Sequence, residues 1–127
     1  MLHYITKEFR FEAAHHLPGY DGPCANVHGH SYKLQVTVGG EVTDKHSEYA
    51  NDYMVMDFKD LKEIVDSIIR DFDHSDLNKF FAIPTAECMA RYIYKKVKKK
   101  LPVDIKVAHV RLWETETSFV DYGDLLP

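Results

Sequence analysis

Glu8-Phe9-Arg10-Phe11-Glu12-Ala13-Ala14-His15 and, after a turn, His28-Gly29-His30-Ser31-Tyr32-Lys33-Leu34-Gln35-Val36-Thr37-Val38 form the stretch that decides the fold. In the first segment Phe9, Phe11, Ala13 and His15 alternate with Glu8, Arg10, Glu12 and Ala14. That period of two predicts a strand over residues 3–16 with one buried face. In the second segment His28, His30, Tyr32, Leu34, Val36 and Val38 share one face of a strand expected to end at Gly39-Gly40. Pro18-Gly19-Tyr20-Asp21-Gly22-Pro23 between them is turn chemistry, so the two strands are expected to form a long hairpin.

Beyond the hairpin, residues 41–55 are polar and irregular and read as a long loop. From Asp57 the period changes, with Phe58, Leu61, Ile64, Val65, Ile68, Ile69 and Phe72 recurring at three and four. This predicts an amphipathic helix capped by Asp57 and ending near Asp71. A second helix is expected after Pro84, capped by Thr85, with Met89, Ala90, Ile93, Val97 and Leu101 inward and Pro102 as its stop. The lysines at 95, 96 and 98–100 complement the dipole at that helix's C-terminus and read as a solvated face. Strands at about 105–113 and 118–122, joined by Glu114-Thr115-Glu116-Thr117, complete the order ββααββ, an α+β class in one domain spanning 1–127.

Composition narrows the function classes. A chain of 127 residues that is 45% hydrophobic can bury a core of its own. No apolar run approaches the roughly 18–20 residues that cross a bilayer, and the first residues lack a signal-peptide core, so the expectation is a cytoplasmic protein without a membrane partner. Sixteen Lys and Arg against twenty Asp and Glu give a net charge of −4, which argues against nucleic acid as a partner. The two cysteines, Cys24 and Cys88, read as thiols, Cys88 as core packing. The unusual count is eight histidines, four of them between positions 15 and 30.

His28 and His30, at i and i+2 on a strand, share a face, and the hairpin brings His15 to the same point. Three neutral imidazoles at the edge of an apolar layer suit Zn2+, one per chain, and three protein ligands leave a position for water or substrate. Hydrogen-bonded core histidines or a surface cluster with no metal are the alternative, which a lone histidine would favour and three at this spacing do not. His16 falls on the opposite face, and His3, His46 and His109 stand apart from the cluster.

Cys24, four residues before His28 in the loop of the hairpin, is expected to stand close to the metal without binding it. Thiolate is the reactive form of cysteine, and a neighbouring dication favours it, so Cys24 is a candidate base or nucleophile; an inert buried cysteine is the other reading. Asp73-His74 directly follows the first helix, where a carboxylate beside an imidazole makes a proton relay, although such residues are also ordinary at helix ends. Glu114, at the exit of the third long strand, is equally open. A carboxylate there has the geometry to accept two parallel N–H groups from a planar heterocycle.

Taken together these pieces resemble the 6-pyruvoyl-tetrahydropterin synthase and 6-carboxy-tetrahydropterin synthase (QueD) family. The match runs in order through Phe11-Glu12-Ala13-Ala14-His15, Cys24 with His28-Gly29-His30, Asp57-Phe58 with Leu61-Lys62, Asp73-His74 with Leu77-Asn78, Pro84-Thr85 with Glu87, and Glu114-Thr115 with Tyr122. The resemblance implies a T-fold, a four-stranded antiparallel sheet with two helices on one face. It also implies a barrel of subunits, a trimer or dimer of trimers, with sites at subunit interfaces. By it, His15, His28 and His30 are zinc ligands, Cys24 the proton-abstracting base, and Asp73, His74 and Glu114 the relay. Glu114 is also the pterin anchor, helped by Thr85 and Glu87. The implied substrate is 7,8-dihydroneopterin triphosphate, and the short chain leans toward 6-carboxy-tetrahydropterin as product, a step toward queuosine, over 6-pyruvoyl-tetrahydropterin. Cys24 argues against variants of the family that carry Glu in its place. Two features depart from the pattern: Phe72, where an aliphatic residue is usual, and the 41–55 segment, which matches nothing in it.

Overall fold

The computed structural model describes residues 2–124. Strand β1 (Leu2–His15) and strand β2 (His28–Glu41) pair antiparallel over their whole length, from Leu2↔Glu41 to His15↔His28. Neither glycine stops β2, because Gly39 and Gly40 still face Tyr4 and His3 across the ladder. Glu41 still belongs to β2, and residues 42–55 form the expected loop with a 3-10 turn at Ala50–Tyr53, tied to itself by Thr43 N–H to the Asp52 carbonyl (3.0 Å) and by Ser47 N–H to the Tyr53 hydroxyl (2.8 Å). Its end, Val55, tucks into the core.

Helix α1 (Phe58–Ile69) begins where the Asp57 carboxylate accepts the Lys59 N–H at 2.8 Å, and it buries Leu61, Val65, Ile68 and Ile69. The chain then makes an element that the periodicity does not announce, the two-residue strand β3 (Ser75–Asp76), which runs parallel to β1 beside Ala13 and Ala14. Helix α2 (Ala86–Lys100) starts at Thr85, whose hydroxyl accepts the Cys88 N–H, and buries Ala86, Met89, Ala90, Ile93 and Val97. Strands β4 (Lys106–Trp113) and β5 (Phe119–Gly123) complete a five-stranded sheet in the order β3-β1-β2-β4-β5. Gly123 is required where it stands: its φ is +109°, and a Cβ there would lie 2.6 Å from the Ala108 carbonyl.

Both helices cover one face of the sheet. Phe9, Phe11, Leu34, Val36, Val110 and Leu112 from the strands close the core against Leu61, Val65, Met89, Ile93 and Val97. Burial of each such side chain stabilises the fold by about 1.5–3 kcal/mol. The alternate residues, among them Glu8, Arg10, Glu12, Lys33 and Arg111, face away from the helices. Cys88 is half-buried beside Arg91 and Tyr92 and not a core residue, because α2 turns the stripe at Met89 inward instead. No helix among the described residues is long and apolar enough to cross a membrane.

Candidate metal centre

The last residue of β1 and the first and third of β2 put three imidazoles on the helix-facing side at one end of the sheet. Their donor nitrogens all lie within 4.8 Å of one another, and the rings stand edge to face at 71–86°. His15 is buried, and its Nδ1–H is donated to the Pro84 carbonyl at 2.9 Å, with the Tyr32 hydroxyl 3.2 Å from the same nitrogen. His28 donates its Nδ1–H to the Asn26 carbonyl at 2.7 Å. These acceptors fix both rings in the tautomer whose Nε2 carries a bare lone pair.

The two Nε2 atoms face each other at 3.1 Å. With both Nδ1 atoms protonated, no N–H lies between them in the neutral rings, so the two lone pairs repel unless a cation joins them. The third donor, His30 Nε2, is buried and has no hydrogen-bond partner. Burial foremost, and then the two neighbouring rings, push the His30 pKa below its ordinary value against the opposing pull of Glu114, which favours the neutral ring a metal needs. The donor set therefore fits a divalent cation.

Glu114, leaving β4, directs its carboxylate at this cluster, 3.7 Å from His30 Nε2 and 4.0 Å from His15 Nε2. Tyr32 is held neutral, its pKa raised by burial and then by Glu114. Thr85 stands next to the carbonyl that orients His15, its hydroxyl engaged as the α2 cap, and Glu87 is exposed in the first turn of that helix. Cys24 sits half-buried in a single 3-10 turn, Pro23–Ala25, in the loop closing the hairpin, and its carbonyl accepts the Leu17 N–H at 2.9 Å. It lies outside the three-ring donor set.

A model of the family described as 6-pyruvoyl tetrahydropterin synthase matches residues 4–124. The chain belongs to the 6-pyruvoyl tetrahydropterin synthase family. Among its relatives, a Haemophilus influenzae protein named 6-carboxy-5,6,7,8-tetrahydropterin synthase is 40% identical over 143 aligned residues, covering 94% of this chain and 98% of the relative. A Pyrococcus furiosus protein named dihydroneopterin monophosphate aldolase is 39% identical over 88 residues, covering 69% and 70%. The solved 6-pyruvoyl tetrahydropterin synthase of Caenorhabditis elegans superposes with a TM-score of 0.82 at 26% identity, over 98% of this chain and 97% of that one.

Within this member of the synthase family, Asp73 and His74 are not brought against the three rings. They sit at the edge of β1, where Asp73 Oδ1 accepts the Glu12 N–H at 2.9 Å and His74 Nδ1 lies 3.1 Å from the same carboxylate oxygen. The His74 N–H is donated to the Glu12 carbonyl, and His74 takes a left-handed φ of 57°, uncommon for a residue with a side chain. The Glu12 amide, ahead of smaller contributions from His74, holds the Asp73 carboxyl below its usual range. His74 lines an open cleft of about 460 Å³ with Glu12, Ala14, Gly29, His30 and Ser31.

Sequence reasoning did not find the groups that orient the three rings. Two are main-chain carbonyls, at Asn26 and Pro84, which no side-chain pattern reveals. Tyr32 does leave a signal, since it is the one hydroxyl in the apolar alternation of β2 and lies two residues past His30. Asn78, part of the motif but without an assigned role, pins the residue after the first ligand by accepting the His16 N–H (2.9 Å) and donating to the His16 carbonyl (3.1 Å). His109 likewise has a partner, Asp121 at 2.7 Å.

Proposed function

We propose that this protein is a zinc-dependent lyase that converts 7,8-dihydroneopterin triphosphate and one water to 6-carboxy-5,6,7,8-tetrahydropterin, acetaldehyde and triphosphate. The observation that carries the reading is the convergence of three lone-pair nitrogens beside Glu114 at one end of the sheet. Two nitrogens bound to zinc at 2.0–2.1 Å and a tetrahedral angle stand roughly 3.3–3.4 Å apart, close to the His15–His28 spacing. The name of the Haemophilus influenzae relative supports the choice of product. Retention of the side-chain carbons, giving 6-pyruvoyl-tetrahydropterin, is the second reading, supported by the family model and by the fold of the nematode enzyme.

His15, His28 and His30 would hold the metal, which when bound polarises the hydroxyl oxygens of the substrate side chain and stabilises enolate-type charge. Cys24 removes the side-chain proton. Asp73 keeps the His74 ring oriented for proton exchange with the substrate, and Glu114 accepts the N–H edge of the pterin with Thr85 and Glu87 beside it. The loss of triphosphate follows by elimination.

The assembly is a homo-oligomer, a trimer or a dimer of trimers, in which one subunit's Asp73–His74 serves a neighbour's metal centre. Two features support this: the exposed position of His74, which shares a cleft with His30 without touching it, and sheet edges at β5 and along the first half of β1 that no other described strand covers. The cytoplasm is the matching compartment for a pterin enzyme of this kind and for the queuosine pathway its product would feed. A simple test separates this reading from that of a zinc hydrolase. Cys24→Ala should abolish triphosphate release while zinc content stays at one per chain; turnover that survives the substitution would refute the assigned base.

A further inference from the structure

On the sheet face away from the helices, Arg10 of β1 and Lys33 of β2 are direct cross-strand partners. Like charges opposite each other on one face oppose pairing. The chain keeps such a pair although its net charge is −4. The two cations line a cleft of about 290 Å³ together with Ser31, Trp113, Thr115 and Glu116.

The neighbouring charges are unequally engaged. Arg111 is neutralised by a two-pronged contact with Asp121, at 2.6 and 3.1 Å. Among the described residues Arg10 has only Glu8 as an ion-pair partner, at 3.6 Å, with both side chains well exposed, a pair worth little in water. Among the described residues no carboxylate lies within ion-pair distance of Lys33. Its Nζ instead rests 4.1 Å from the centre of the Trp113 ring, which holds the ammonium over the cleft without cancelling its charge. An arginine fork beside an immobilised lysine is a donor set for phosphate oxygens.

Position links this cleft to the chemistry. Ser31 lines both it and the cleft that holds His74, so the two adjoin at that residue. The step from Glu12 to Arg10, or from Ser31 to Lys33, is two residues along a strand, about 7 Å. Trp113 is also the residue directly before Glu114. Two carboxylates also border the path, Glu12, which accepts the Ser31 hydroxyl at 2.6 Å, and Glu116 in an exposed turn, and their charge works against the two cations.

We propose that Arg10 and Lys33, with Trp113 as the support of the lysine, form a polyphosphate subsite that holds the triphosphate of the substrate beside His74. This rests on the function proposed above as to the substrate, but not as to the anion. Inorganic tripolyphosphate is therefore the probe, titrated calorimetrically into the full-length protein, both zinc-loaded and chelator-treated. Binding should persist without zinc, weaken with salt, and fall about tenfold or more in an Arg10→Gln/Lys33→Gln double variant. Lys98→Gln/Lys99→Gln, which removes the same charge at the far end of α2, should leave the isotherm unchanged.

In turnover, the double variant should raise KM for dihydroneopterin triphosphate by a similar factor, with a smaller change in kcat. An isotherm indifferent to the double substitution, or binding abolished by zinc removal, overturns the subsite. A protein that never turns over the pterin but binds tripolyphosphate through these two residues refutes the proposed function and supports the subsite.

Discussion

The three-histidine centre and the Asp73–His74 pair hang from the same strand, at His15 and at Glu12, and they are built in opposite ways. His15 is 1% exposed and held by a main-chain carbonyl, a tyrosine hydroxyl and two neighbouring rings. The His74 side chain is 79% exposed, with Asp73 as its side-chain partner and the strand's backbone as its anchor. Under the proposed function the contrast separates two tasks. Ligands must be oriented before the metal arrives, so burial and fixed acceptors suit them. A proton-transfer group must meet the substrate, and an open position suits it until a substrate or a second subunit covers it.

The contrast can be broken most forcefully at the ligands. His15→Ala should abolish both metal retention and turnover, and should also cost stability of about 1–3 kcal/mol by leaving the buried Pro84 carbonyl without its donor, readable by metal analysis and thermal melting. His74→Ala should lower kcat by about 10²–10⁴-fold with zinc content and melting temperature close to those of the parent. Loss of metal in the His74 variant would show that the two regions are not separate. Tyr32→Phe sharpens the point within the buried region. The hydroxyl shares a nitrogen that Pro84 already engages, so metal affinity should fall by about tenfold, the low end of the effect of an orienting partner.

Smaller effects probe the scaffold around the pair. Thr85→Ala removes the α2 cap next to the carbonyl that aims His15, and should cost about 1 kcal/mol in denaturant unfolding. Asp121→Asn should lower stability at neutral pH by a small amount and lose that effect in acid. Arg111, chiefly through its hydrogen bonds, holds the Asp121 carboxyl below the usual range. The folded state therefore binds that proton later than the unfolded chain does, so the contribution is present above the ordinary aspartate pKa and is lost as pH falls through the lowered one. The Asn variant should therefore be less stable than the parent at neutral pH, show a shallower loss of stability through that acid window, and converge on the parent below it.

Much of this was legible because it is written in local periods. The alternation through Phe9, Phe11, Ala13 and His15 and through His28 to Val38 gives the hairpin, its register and the meeting of three rings. Asp57 and Thr85 mark their helices by the need of first-turn N–H groups for an acceptor. Strand β3 was not legible, since two residues carry no period and its partner lies some sixty positions away in the chain. The place of Asp73–His74 at the β1 edge is set by the Glu12 N–H and carbonyl, main-chain groups that any residue at position 12 would supply, one of them engaged by the Asp73 carboxylate. For the same reason the carbonyls of Asn26 and Pro84 leave no trace in the pattern, although they decide which nitrogen each ligand offers.

The central claim is the reaction itself. Incubating the purified, zinc-loaded protein with 7,8-dihydroneopterin triphosphate and identifying the products by mass tests it most directly. The account predicts 6-carboxy-5,6,7,8-tetrahydropterin together with acetaldehyde and triphosphate; a pterin that retains its three-carbon side chain, as in 6-pyruvoyl-tetrahydropterin, would contradict it.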